Sequence, residues 1–150
     1  MSRRIAVGAD HAGVDLKDAL AQLLRERGFE VHDCGTSGHD SVDYPDFAHA
    51  VCAEVGSGRS ELGLLVCGTG LGMSMAANRH AGIRAALCAE PFSARMTRMH
   101  NDANVLCMGS RVVGPGLAEE ILSVFVTTAF EGGRHARRVG KIELGAAPTG

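Results

Sequence analysis

Short apolar runs alternate along this chain with longer stretches in which apolar residues recur every three or four positions. The runs are Ile5–Ala9, Phe29–Cys34, Leu62–Cys67, Ile83–Cys88 and Asn104–Met108, all rich in Val, Ile, Leu, Ala or Cys. Nearly unbroken apolar character over about five residues predicts strands covered on both faces, as in a parallel sheet. The intervening stretches predict helices. Ala12–Arg27 carries Leu16, Leu20, Leu23 and Leu24 along one side and stops at Gly28, a favourable helix-ending residue. Pro45–Val55 opens with a proline suited to a first helical turn. Gly72–Arg79, Pro91–His100 and Leu117–Phe130 follow, and a polar segment at about Arg134–Ile142 closes the pattern. Five strands alternating with helices predict an α/β fold: a doubly wound five-stranded parallel sheet, Rossmann-like, flanked by helices, with a short C-terminal helix. Residues 1–150 read as one domain, with 145–150 as a frayed tail.

Composition narrows the function classes. The chain is 45% apolar and 21% charged, with a formal net charge of −2, so it lacks the basic field of a nucleic-acid binder. Basic residues do bunch at Arg134, Arg137, Arg138 and Lys141, which leaves a local anion site open. No stretch approaches the roughly 20 apolar residues of a membrane helix, and the N-terminus does not read as a signal peptide. The five cysteines are odd in number and none is spaced C-x-x-C. Reduced thiols and a cytoplasmic location are the expectation.

In doubly wound folds, ligands sit at the carboxyl ends of the strands, so the residues after each run carry the candidate chemistry. The first run ends in Gly8-Ala9-Asp10-His11-Ala12-Gly13. Asp10 either caps the following helix with His11 an exposed loop residue, or both face a ligand whose hydroxyls Asp10 accepts from. The third run ends in Cys67-Gly68-Thr69-Gly70-Leu71-Gly72. Glycines at alternate positions let backbone N–H groups turn inward as an anion nest, and a thiol beside them can ionise near neutral pH. The plainer reading is a tight turn beside a buried cysteine. His100, at a helix end beside Asn101, suits a general acid; equally, Asn101 is a left-handed helix cap. Arg111 follows the fifth run, and Arg134 and Arg138, four apart, share either a phosphate grip or a solvated basic face.

Better-known motifs fail here. The Gly68 loop lacks the third glycine of G-x-G-x-x-G, and Met73 replaces the arginine of a thiol-phosphatase loop. Asp33 ends the second run where a ribose-binding acid would stand, but the first turn, Gly8 to Gly13, lacks the matching glycines. No pair of His, Cys or carboxylates shows metal-site spacing such as H-E-x-x-H.

Read together, these segments resemble the ribose-5-phosphate isomerase type B family, grouped with the galactose-6-phosphate isomerase subunits. Besides the two loops above, the matching stretches are Asp43-Tyr44-Pro45, Ala76-Ala77-Asn78-Arg79, Ala81-Gly82-Ile83-Arg84, His100-Asn101-Asp102-Ala103-Asn104-Val105, Gly109-Ser110-Arg111 and Glu131-Gly132-Gly133-Arg134-His135. They run in order over about residues 4 to 142. The resemblance implies aldose–ketose isomerisation of a phosphorylated sugar, with D-ribose 5-phosphate first and four- or six-carbon sugar phosphates as alternatives. It implies Cys67 as the base, the alternative glutamate position being Leu71 or Gly72, with His100 opening the ring and Thr69 grouped with them as catalytic. Asp10, His11, Tyr44 and Asn101 are implied as sugar contacts. The amides of Gly68, Gly70, Leu71 and Gly72 are implied as an oxyanion nest, and Arg111, Arg134 and Arg138 as phosphate ligands. No metal or organic cofactor is implied. The partners implied are the sugar phosphate and a second copy of the chain, in a dimer or tetramer with sites at the subunit interface, with neither nucleic acid nor membrane.

Overall fold

The apolar runs become strands because each residue in them has a helix layer to face. A computed structural model describes residues 2–145, so the tail expected over 145–150 lies, apart from Gly145, outside the described residues. The strands are β1 (Arg4–Ala9), β2 (Glu30–Asp33), β3 (Leu62–Cys67), β4 (Ala85–Leu87) and β5 (Val105–Gly109). The helices are α1 (Val14–Glu26), α2 (Tyr44–Gly56), α3 (Leu71–Ala77), α4 (Pro91–Asn101), α5 (Pro115–Thr127) and α6 (Arg134–Gly140). All strand pairs are parallel, in the order β2-β1-β3-β5-β4.

Side chains alternate across the sheet, and the alternation sorts the core into two layers. Ile5, Val7, Ala9, Leu64, Val66, Leu106 and Met108 pack with Leu20 and Leu24 of α1, Ala94 of α4 and Phe125 of α5. Ala6, Leu65, Cys67, Val105 and Cys107 pack on the other face with Val51 and Cys52 of α2 and Met73 of α3. From β1 the chain reaches β2 on one side through α1, then crosses back over β1 through α2 to place β3 on the other. That reversal opens a crevice between the carboxyl ends of β1 and β3.

The predicted elements hold with local adjustments. α1 ends in a Schellman motif: the amide of Phe29 donates to the Leu24 carbonyl at 3.0 Å and that of Gly28 to the Arg25 carbonyl at 3.0 Å. β4 is shorter than the run Ile83–Cys88, because this edge strand pairs with β5 over three residues only. α5 stops at Thr127 rather than Phe130; the hydroxyls of Thr127 and Thr128 donate back to the carbonyls of Ser123 and Val124. Asn101 is the last residue of α4 and not its left-handed cap, which is Asp102 at φ 46°. Arg98 and Arg84 hold the Asp102 carboxylate at 3.0 and 3.5 Å, which fixes the residue in that conformation. No described helix is long and apolar enough to cross a membrane.

One buried charge ties this frame together. Lys17 of α1 is 1% exposed, and its ammonium donates to both oxygens of Asp33 at 2.8 and 2.9 Å and to the Thr36 carbonyl at 2.8 Å. Asp18 adds a contact at 3.0 Å. Asp33 is therefore committed to the frame rather than to a ribose. Removing one partner of a buried ion pair strands the other without compensation, at a cost of about 3–5 kcal/mol. Asp33→Ala is expected to destabilise the protein by about 3 kcal/mol, near the low end of that range because Asp18 and the Thr36 carbonyl remain. Urea unfolding of both proteins measures it.

Candidate active site

The crevice at the β1 and β3 carboxyl ends is built by three loops laced to one another. The amide of Asp10 donates to the Val66 carbonyl at 3.3 Å, which clips the β1 loop onto β3. The amides of Ser110 and Arg111 donate to the Cys67 and Gly68 carbonyls at 2.9 and 3.0 Å, and the Ser110 hydroxyl donates to the Ala12 carbonyl at 2.7 Å. Ser110 thus joins the loops after β1, β3 and β5, a role the sequence does not announce.

Asp10 does not cap α1. The N-cap is Gly13, without a side-chain bond, and Asp10 Oδ1 instead accepts from the amides of Ala12 and Gly13, each at 3.0 Å. Gly13 is required by contact, since a Cβ there would lie 2.3 Å from the Val66 carbonyl oxygen. The result is a carboxylate 7% exposed at the crevice rim. His11 is half-buried rather than free, because its Nδ1 accepts from the Val42 amide at 3.2 Å. That bond leaves the proton of the neutral ring on Nε2.

Cys67 ends β3, within the α2/α3 layer of the core and 5% exposed. Its Sγ accepts a hydrogen bond from the Gly70 amide at 3.1 Å. Gly70 sits at φ +80°, and a Cβ there would fall 2.5 Å from Leu87 Cδ1 and 2.8 Å from the Met108 carbonyl carbon. Only glycine can turn the amide onto the sulfur at this place. Thr69 Oγ1 accepts from the Leu71 amide at 3.3 Å, so two amides of the nest are already engaged within the loop. Among the described residues, no such bond takes the amides of Thr69 or Gly72. The Tyr44 ring lies against Gly72, within 2.7 Å of where a Cβ would stand, and the Arg111 side chain approaches Gly68 at 3.6 Å by the same measure. Asp10, His11, Tyr44, Cys67, Thr69, the glycine loop and Arg111 therefore gather at one end of the sheet.

His100, Asn101, Arg134 and Arg138 do not join them. α4 leaves the carboxyl end of β4 and returns antiparallel to the strands, so its last turn lies at their amino ends. Arg84, the residue before β4, donates to the Asn101 carbonyl at 3.0 Å and marks that edge. β5 alone separates the two ends by about 13 Å at roughly 3.3 Å per residue. There the rings of His100 and His135 stack, 4.3 Å between centroids. The Glu131 amide donates to the Met99 carbonyl at 3.1 Å and docks α6 against α4. His100, Asn101, His135, Arg138, Val139 and Ile142 line a shallow pocket. Arg134 is exposed on the same short helix. Glu131 and His135, the ends of one matching stretch in the sequence, join this group as neighbours four residues apart.

The other thiols are poor nucleophiles. Burial pushes Cys34, Cys52 and Cys88 up to about 11, with nearby carboxylates adding to the effect at Cys34 and Cys88. Burial also holds Cys107 well above the ordinary thiol range. At pH 8 only roughly one in a thousand such groups is thiolate. Iodoacetamide at pH 8 is therefore expected to leave these four unmodified in the native protein, as peptide mass mapping reads directly. A raised thiol pKa stabilises the fold below the unfolded value, and that contribution is lost as pH climbs through the folded one. Thermal stability should accordingly fall between about pH 9 and pH 11.

A family model described as Ribose/Galactose Isomerase matches residues 5–142. The chain is 50% identical over 137 residues to ribose-5-phosphate isomerase B of Escherichia coli, covering 91% of this chain and 92% of that protein. A solved structure of ribose-5-phosphate isomerase B from Clostridium thermocellum matches with a TM-score of 0.92 at 53% identity, covering 93% and 94% of the two chains. D-erythrulose-4-phosphate isomerase of Pectobacterium atrosepticum is 41% identical over 140 residues, covering 92% of this chain and 91% of that protein. A match of sequence and fold over more than nine-tenths of the chain makes this chain a member of the ribose/galactose isomerase family.

Proposed function

We propose that this protein interconverts D-ribose 5-phosphate and D-ribulose 5-phosphate through an enediolate, with Cys67 as the base. The observation that carries the reading is the Cys67 sulfur facing the Gly70 amide at 3.1 Å, beside Asp10 in the β1/β3 crevice. That amide donates to the sulfur, and the neighbouring loop amides suit the oxyanion that forms next.

The electrons balance within the substrate. His100 transfers a proton to the ring oxygen as the C1–O bond breaks, and the anomeric hydroxyl gives up its own proton as the furanose opens to the aldehyde. Cys67 takes the proton from C2, the C–H pair becomes the C1–C2 double bond of the enediolate, and charge gathers on the C1 oxygen. Loop amides receive that charge; one such donor is worth about 3–4 kcal/mol. A proton passes from the C2 hydroxyl to the C1 oxygen, and return of the abstracted proton to C1, as the C2 oxygen becomes a carbonyl, gives the ketose. Asp10, His11, Tyr44 and Asn101 orient the hydroxyls, Thr69 shapes the loop, and Arg111, Arg134 and Arg138 grip the phosphate.

A second copy of the chain completes this site. The Cys67 end and the His100 end of one sheet are too far apart to meet on a five-carbon sugar. Leu71, Met75, Leu87 and Phe92, exposed at 39–69%, surround the glycine-loop end and suit burial against a partner. A twofold dimer would bring His100, Asn101, Arg134 and Arg138 of each copy to the Cys67 end of the other. A four-carbon ketose phosphate is the second substrate reading, favoured by the 41% identical relative named for D-erythrulose 4-phosphate. Comparing kcat/KM on four-, five- and six-carbon sugar phosphates ranks them.

Cys67→Ala is expected to lower kcat by about 10²–10⁴-fold on ribose 5-phosphate while binding persists. Near-normal turnover in that variant rejects the base. Shared sites give a sharper test. Cys67→Ala and His100→Gln subunits, each inactive alone, should recover about a quarter of wild-type activity when mixed at random, because each mixed dimer regains one complete site. No recovery in dimers verified as mixed rejects the shared site.

A further inference from the structure

The pocket at the amino ends of the strands holds a second constellation. His100 of α4, His135 of α6 and Glu131 just before α6 place ligand atoms all within 4.8 Å of one another. His135 is 6% exposed, and its Nε2 is buried without a hydrogen-bond partner. The nearest Glu131 oxygen, Oε2, is 3.3 Å away but lies outside hydrogen-bond direction. A buried ring nitrogen beside a carboxylate that does not bond it is an unsatisfied ligand atom. The separation also fits an ion: two ligands at about 2.0–2.1 Å from a tetrahedral centre stand about 3.3 Å apart.

We propose that His100, Glu131 and His135 bind a divalent transition-metal ion of the zinc class. Two imidazoles and one carboxylate favour such an ion over calcium or magnesium, which take oxygen ligands. The fourth position opens into the pocket and takes water. The His100 ring now stacks on His135, so it must turn to meet the same ion; it is only partly buried. Arg138 lines the same pocket and opposes a cation, an effect that Glu131 offsets. The bound ion would occupy the imidazole assigned to ring opening, so the site is inhibitory. Inhibition rests on the role given to His100; binding does not.

Cobalt(II) is the probe, titrated into the full-length protein and followed by visible absorption. The expected result is one ion per chain, with d–d bands and no sulfur-to-cobalt charge transfer. Cys67→Ser should bind it unchanged, while Glu131→Gln and His135→Gln should each weaken binding at least about tenfold. Paramagnetic broadening of the His100 and His135 ring protons in the unaltered protein locates the ion without relying on any variant's folding. Equal binding by His135→Gln, or a sulfur charge-transfer band that vanishes in Cys67→Ser, overturns the site. If cobalt binds as expected and turnover of ribose 5-phosphate continues, the metal site stands and the ring-opening role of His100 falls.

Discussion

The polarity of the parallel sheet governs this molecule. All five strands point one way, so every loop that follows a strand emerges at one end and every helix must travel back to the other. The reversal between β1 and β3 opens a crevice at the first end, and Asp10 and Cys67 sit there because each directly follows or closes its strand. The same rule sends the last turn of α4 to the opposite end with His100. A single chain therefore carries Cys67 at one end and His100 at the other, and its own topology keeps them from meeting.

Within the crevice, function depends on backbone placed by side chains too small to obstruct it. Gly70 can aim an amide at the Cys67 sulfur only because it has no Cβ to strike Leu87 and the end of β5. Ser110 then clamps three loops together through one hydroxyl and one amide. Burial suppresses ionisation at Cys34, Cys52, Cys88 and Cys107, while the Cys67 sulfur accepts a hydrogen bond from the Gly70 amide.

The amino-end pocket shows how one residue can serve two chemistries. His100 belongs to the proposed isomerase site when a second copy presents it, and to a metal-binding triad when its own α6 does. Both uses draw on an imidazole in the last turn of a helix, beside the pocket.

Much of the architecture was legible from pattern, because unbroken apolar runs and period-3.6 apolar spacing reflect which faces must be buried. Element ends were less so, as at α5, where two threonine hydroxyls turn back on the helix backbone and end it before Phe130. The glycine loop, its cysteine and the carboxylate of Asp10 could be read as chemistry because strand-end position implies a shared rim. By itself the sequence determined the layers, the parallel sheet and the kinship, since these follow from local spacing and short motifs. Only tertiary structure decided that Asp33 neutralises a buried lysine, that Asp10 braces its own loop, and that His100 faces Glu131 and His135 instead of Cys67. Those outcomes depend on which distant segments the crossovers bring together, and no spacing along a chain encodes that directly.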